Sequence, residues 1–140
     1  MSDTYYVKTF GGLEITNDNV TVNIVELFGK QLVNLLQVLL FHSEKPVQKD
    51  ELIDILWPES KNPSSALKFS IFRLRAELNE IEFFKDKEVI VTTRKGYILN
   101  PNLDWNIDFV ELEKAYNQIN DGSELLDEKS SRRLERFWLN

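Results

Sequence analysis

At 140 residues and 42% apolar content, the chain suits one domain and part of another, with enough apolar side chains for an ordinary core. The lack of cysteine excludes disulfides and thiolate zinc sites, and a single histidine leaves little for a histidine-based metal site or triad. A net charge of −6 argues on its face against a nucleic-acid partner, yet residues 61–100 hold 8 Lys/Arg against 5 Asp/Glu while both flanking sections are net acidic.

The N-terminus MSDTYYVKTF has no basic region followed by an apolar run, so it is not a secretory signal. Tyr5–Phe10, Leu13–Thr16 and Val20–Val25 read as short strands. Val20, Val22 and Ile24 alternate with polar residues, Gly11-Gly12 separates the first two strands, and Asn17-Asp18-Asn19 is a turn cluster. Together they predict a small antiparallel sheet that acts as scaffold.

Lys30–Phe41 sets Leu32, Leu35, Leu36 and Leu39 on a helical stripe that Val33, Val38 and Leu40 widen, which predicts a nearly buried helix. Its apolar run, Leu32–Phe41, is about half the roughly 20 residues a membrane span needs. His42 at the helix end suits a capping or surface role, where an imidazolium complements the macrodipole. Asp50–Trp57 predicts a short helix with Asp50 and Glu51 in its first turn, Leu52, Ile55 and Leu56 inward, and Pro58 as its stop. Glu51, Asp54 and Glu59 have no histidine or implied apolar pocket beside them and read as a solvated face. Trp57 fits either the junction with the next helix or the edge of a binding surface.

Asn62–Leu78, NPSSALKFSIFRLRAEL, predicts a sharply started helix, with Asn62 as N-cap and Pro63 at the first helical position. At about 100° per residue, Leu67, Ser70, Ile71, Leu74 and Leu78 form a core stripe. The other side presents Ser65, Phe69, Phe72, Arg73 and Ala76, with Lys68 and Arg75 on a flank. Phe69 is expected outward and Phe72 at least partly exposed, although a Phe72 turned back under the following hairpin would be core. The plain alternative for Arg73 and Arg75 is surface pairing with Glu77 or Glu80, which is worth little.

The preceding short helix and this one form a helix-turn-helix unit. Glu88–Thr93 and Tyr97–Leu99 flank Arg94-Lys95-Gly96 as a hairpin with a basic tip. Asn100–Asp104 reads as a linker-like break. Phe109, Leu112, Ala115, Tyr116 and Ile119 then share a face of a helix over about 107–120, and Leu125 to Leu139 suggest another. One such helical hairpin cannot bury its own face, which suggests that the chain is a fragment. The predicted class is α+β: a winged helix-turn-helix with a small antiparallel N-terminal sheet, three helices and a C-terminal β-hairpin wing, followed by a helical extension.

The stretches FGGLEI, KQLVNLLQVLLFHSEKPV, DELIDILWP, SALKFSIFRLRAEL and TTRKGYIL, in this order over residues 5–100, resemble the winged-helix DNA-binding domains of OmpR/PhoB type. Within that family they are similar to the SARP-type transcriptional activators, response-regulator-like proteins, and IDFVELEKAYNQINDG looks like the beginning of their helical activation domain. The resemblance implies a DNA-binding domain over 1–100 and a truncated, TPR-like domain over 101–140. It places Arg73 and Arg75 on the recognition-helix arginines, Ser65 near the phosphate-contacting start, and Lys68, Phe69, Ser70 and Phe72 at or beside groove-facing positions. It also matches Trp57 to the tryptophan before the loop and Arg94 to the wing arginine. Phe69, Phe72 and Ala76 depart from the family's usual residues.

The function expected from this is sequence-specific duplex-DNA binding by a cytoplasmic transcription regulator, with helix 62–78 in the major groove and wing 89–99 on the backbone or minor groove. Ser64, Ser65 and the first N–H groups would hold a phosphate, and Arg73 and Arg75 would clamp phosphates or guanine edges. Phe69 and Phe72 would lie on thymine methyls, and Arg94, with Lys95 beside it, would reach the backbone or minor groove. The expected partner is duplex DNA in tandem half-sites bearing a dimer, with RNA polymerase or another protein as a further partner, and no cofactor or membrane. The alternative is a protein-interaction module that keeps the fold with weak or no DNA binding, its contact the outward phenylalanines. No phosphate loop, HExxH motif or nucleophile elbow points to an enzyme.

Overall fold

The computed structural model describes residues 4–9 and 12–120. Phe10 and Gly11 of the FGGLEI stretch and the helix expected over 125–139 lie outside the described residues.

Strand alternation organises the N-terminal part. In β1 (Thr4–Lys8) Tyr5 and Val7 are buried while Tyr6 and Lys8 face solvent, and β2 (Glu14–Asn17) buries Ile15 and Asn17. β3 (Val20–Asn23) follows a two-residue turn in which Asp18 and Asn19 have φ of 47° and 72°. Such a turn needs positive φ at both central residues, which Asp and Asn tolerate better than other side-chain-bearing residues. The strand expected to reach Val25 ends at Asn23, because the Asn23 side chain accepts the Glu26 N–H at 3.2 Å and starts the single-turn helix α1 (Ile24–Leu27).

α2 (Lys30–Phe41) buries apolar residues from Leu32 to Leu40 and packs against α3 (Lys49–Leu56) and α4 (Pro63–Asn79), which also pack on each other. The buried side of α4 is Leu67, Ser70, Ile71, Leu74 and Leu78, the stripe its 3.6-residue period specifies. A 3-10 turn at Glu82–Phe84, not foreseen in the sequence, brings Phe84 beneath Tyr5 with ring centroids 4.8 Å apart.

β4 (Ile90–Thr93) and β5 (Gly96–Leu99) form the wing, a two-stranded antiparallel sheet. A lone hairpin is marginal in water, so its anchors decide where it sits. One anchor is Val47, ahead of α3, which exchanges backbone hydrogen bonds of 2.8 and 3.0 Å with Tyr97. Gly96 makes that approach feasible. Its φ is +145°, and a β-carbon there would lie 1.9 Å from the Val47 carbonyl oxygen. Gly96→Ala is therefore expected to lower the unfolding free energy by on the order of 3 kcal/mol, measurable in urea. Full retention of stability would show that the wing is not seated on Val47.

β6 (Asp104–Ile107) corrects the expectation of a purely antiparallel N-terminal sheet. It pairs parallel to β1, with Tyr5 opposite Trp105, and gives the order β3-β2-β1-β6. Thr4 donates from its hydroxyl to Asp104 Oδ2 at 2.8 Å, and the Tyr5 and Trp105 rings lie 5.4 Å apart. α5 (Phe109–Asn120) then packs on α2, where Phe41 and Tyr116 stack at 4.2 Å and 12°. His42, at the end of α2, lies 3.3 Å from the Tyr116 hydroxyl through Nε2, so its capping position also holds α5. Burial, with Glu51 adding to it, pushes the Tyr116 phenol above its ordinary range. No helix among the described residues is long and apolar enough to cross a membrane.

Candidate nucleic-acid interface

The start of α4 is open to an anion. Pro63 occupies the first turn and the Asn62 carbonyl accepts the Ala66 N–H at 3.2 Å, while the Asn62 side chain makes no cap bond. First-turn N–H groups have no intrahelical acceptor, and here they adjoin the exposed Ser64 and Ser65.

Further along the same helix, Lys68, Phe69, Phe72, Arg73 and Ala76 are exposed. Phe69 and Phe72 keep 61% and 69% of their surface in water, so Phe72 does not turn under the wing. Neither ring contributes the roughly 1.5–3 kcal/mol that full burial of such a side chain gives. Arg73 Nη2 is 3.5 Å from Glu77 Oε2 in a half-exposed pair, and its guanidinium lies 5.9 Å from the centre of the Phe69 ring. Exposed i,i+4 pairs of this kind are weak, so a phosphate or base edge can take Arg73 from Glu77 at little cost.

Three residues singled out in the sequence do not stand on this face. Ser70 is 7% exposed and sits in the core stripe, as the helical period requires, so it is not groove-facing. Trp57 is half-buried at the C-cap of α3, where its N–H bonds to the Ile53 carbonyl at 2.8 Å and its ring packs against the core. Arg75 is turned to the wing: Nε and Nη2 donate to the Ile90 carbonyl at 3.3 and 3.1 Å, and Nη2 donates to Thr92 Oγ1 at 2.6 Å. It is a strut within the protein and not an outward clamp, and it does not pair with Glu77 or Glu80.

At the wing tip Arg94 and Lys95 are exposed. Thr93 Oγ1 accepts the N–H groups of Lys95 and Gly96 at 3.1 Å and donates to the Gly96 carbonyl at 3.0 Å, so the tip is held in shape without help from a ligand. Thr92 and Thr93 escaped the sequence reading as functional supports. A threonine three residues before a hairpin glycine was the available signal for Thr93, and Thr92 offered none. Among the described residues, no group of three or more His, Cys, Asp or Glu is placed to hold a metal ion.

A family model described as "Transcriptional regulatory protein, C terminal" matches residues 20–99. Among solved structures, the chain is similar to the DNA-binding domain of E. coli CadC, at 27% identity over 61% of this chain and 77% of that one, with a TM-score of 0.48. It is also similar to Mycobacterium tuberculosis EmbR, solved in complex with a low-affinity phosphopeptide, at 23% identity and a TM-score of 0.50. That likeness concerns the fold alone; it covers 69% of this chain and 24% of EmbR. No curated protein matches the chain.

Proposed function

The chain belongs to the family of transcriptional regulatory protein C-terminal domains, the OmpR/PhoB type, and is a DNA-binding transcription-regulator domain; from that premise we propose that it reads a specific duplex sequence with α4. The observation that supports this most is the exposed row Lys68, Phe69, Phe72 and Arg73 on one helix, beside an open helix start and a basic wing tip.

The major groove is about 12 Å wide and admits one helix. With α4 in it, Ser64, Ser65 and the adjoining N–H groups take a backbone phosphate, and Lys68 takes another. Arg73 leaves Glu77 for a guanine edge or a phosphate, and Phe69 and Phe72 cover thymine methyls. Arg94 and Lys95 lie along the backbone or in the minor groove. The apolar rings contribute by burial, which suits a protein whose net charge of −6 gives little long-range attraction. Two copies on tandem half-sites would gather the affinity that one domain lacks. α5 would be the first helix of a TPR-like activation segment that begins after residue 100, docked on α2, with RNA polymerase or another protein as its partner.

Titrating a randomised duplex pool against salt tests this. Binding should weaken with a slope set by about three to six phosphate contacts. Arg94→Ala should cost about 1 kcal/mol, lower that slope by about one and leave base preference unchanged. Absence of duplex binding at about 50 mM salt would instead favour the protein-interaction module, for which the two exposed phenylalanines are the supporting observation.

A further inference from the structure

Arg75 is a cation of the recognition helix whose Nε and Nη2 both donate inside the protein, to β4. Its acceptors, the Ile90 carbonyl and Thr92 Oγ1, sit two residues apart on β4, at 3.1 and 2.6 Å from the same Nη2. β4 ends at Thr93, and the tip residues Arg94 and Lys95 follow directly. The opposite strand, β5, is fixed separately by the hydrogen bonds between Val47 and Tyr97. Tyr97 stands opposite Thr92 beside the tip and Leu99 opposite Ile90 at the base, so a backbone bridge holds β5 near the tip while the Arg75 side chain grips β4 from its base to Thr92. The Ile90 carbonyl takes Nε and Nη2 together, a fixed planar fork that the single nitrogen of a lysine ammonium does not reproduce.

We propose that Arg75 is a positioning residue: it sets the offset between the recognition helix and the wing tip, so that whatever Arg94 and Lys95 contribute to DNA binding depends on it. Arg75 itself touches no DNA. The consequence for binding rests on the DNA-reading function proposed above, whereas the mechanical coupling of α4 to the wing does not.

The test has two arms, both on the full chain with Arg75→Lys and Thr92→Val. Lysine keeps the charge and loses the fork; valine keeps the β-branched shape of Thr92 and loses the acceptor. In the free protein, amide hydrogen exchange over 90–99 should accelerate about tenfold or more in both variants, while α2 amides from Leu35 to Leu40 keep their protection. In duplex binding, Arg75→Lys should lose affinity nearly as far as Arg75→Ala. In the Arg75→Lys background, Arg94→Ala should then cost less than about twofold, whereas in the wild type it costs about fivefold or more. The proposal is overturned if Arg75→Lys binds within about twofold of wild type and Arg94→Ala stays additive, because a plain phosphate contact needs only the charge. Equal acceleration of wing and α2 amides also overturns it, since Arg75 would then be an ordinary contributor to global stability. If the wild type binds no duplex, the DNA-reading function falls, and the exchange arm alone still decides the coupling.

Discussion

A chain ended after Asn100 should lose about 5 kcal/mol of stability relative to one ended after Asn120, enough to unfold part or all of a domain of ordinary stability. The cut removes β6 from beside β1 and α5 from α2. With them go the buried Leu112 and Tyr116, at 0% and 8% exposure, and the half-buried Trp105, whose ring lies tilted against that of Tyr5. Burial of each such side chain stabilises by roughly 1.5–3 kcal/mol at most, and the loss of the parallel strand also bares the edge of β1. Urea unfolding of the two chains measures the difference directly. Superimposable transitions would mean that residues 101–120 rest on the domain without contributing to it.

Phe69→Ala and Phe72→Ala should each weaken binding to a selected operator about tenfold, or about 1.4 kcal/mol, and change which bases are preferred. Their melting temperatures should stay within a degree or two of wild type, because 61% and 69% of these side chains is already in water and little folded-state packing is lost. The pair of readouts separates three roles. Lost affinity with unchanged melting places the rings on DNA. Unchanged affinity and melting assign them to a protein contact. A large melting drop in both would make them structural, against the exposure seen here. The same measurements on Ser70→Ala should show no change in selected sequence, since Ser70 lies in the core stripe.

How much of this was readable from residues alone follows from the range of each interaction. The buried stripe of α4 is a local periodic signal, so Leu67, Ile71, Leu74 and Leu78 were legible, and so was the core position of Ser70. For Ser70, that period was a better guide than likeness to a family's groove-facing positions. The turn at Asp18-Asn19 and the basic hairpin tip were legible for the same reason: their chemistry is confined to a few consecutive residues. The start of α1 was read as strand because Ile24 continues the alternation of Val20 and Val22 with polar residues, although Asn23 with Glu26 three residues on is a capping pattern.

What stayed hidden depends on partners far along the chain. Asn100–Asp104 looks like a break, and locally it is a turn: the Leu103 N–H bonds to the Asn100 carbonyl at 3.1 Å. Only the pairing of Asp104 with Thr4, a hundred residues earlier, turns the next four residues into a strand. Arg75 shows the same limit at the site. The helical period set Arg73 on the outer side and Arg75 on a flank, but nothing in FRLRAEL showed that the flank would meet β4: Arg73 pairs with Glu77 one turn away, while Arg75 is turned to Ile90 and Thr92.

The most direct measurement is repeated selection of duplexes from a randomised library at about 50 mM salt, carried out in parallel with wild type and Phe69→Ala. With α4 in the major groove, wild type should enrich a defined motif that repeats about one helical turn apart, and Phe69→Ala should enrich a motif altered at a thymine-containing position. Failure of the wild type to enrich any sequence, or the same motif from both proteins, would contradict base reading by this face of α4.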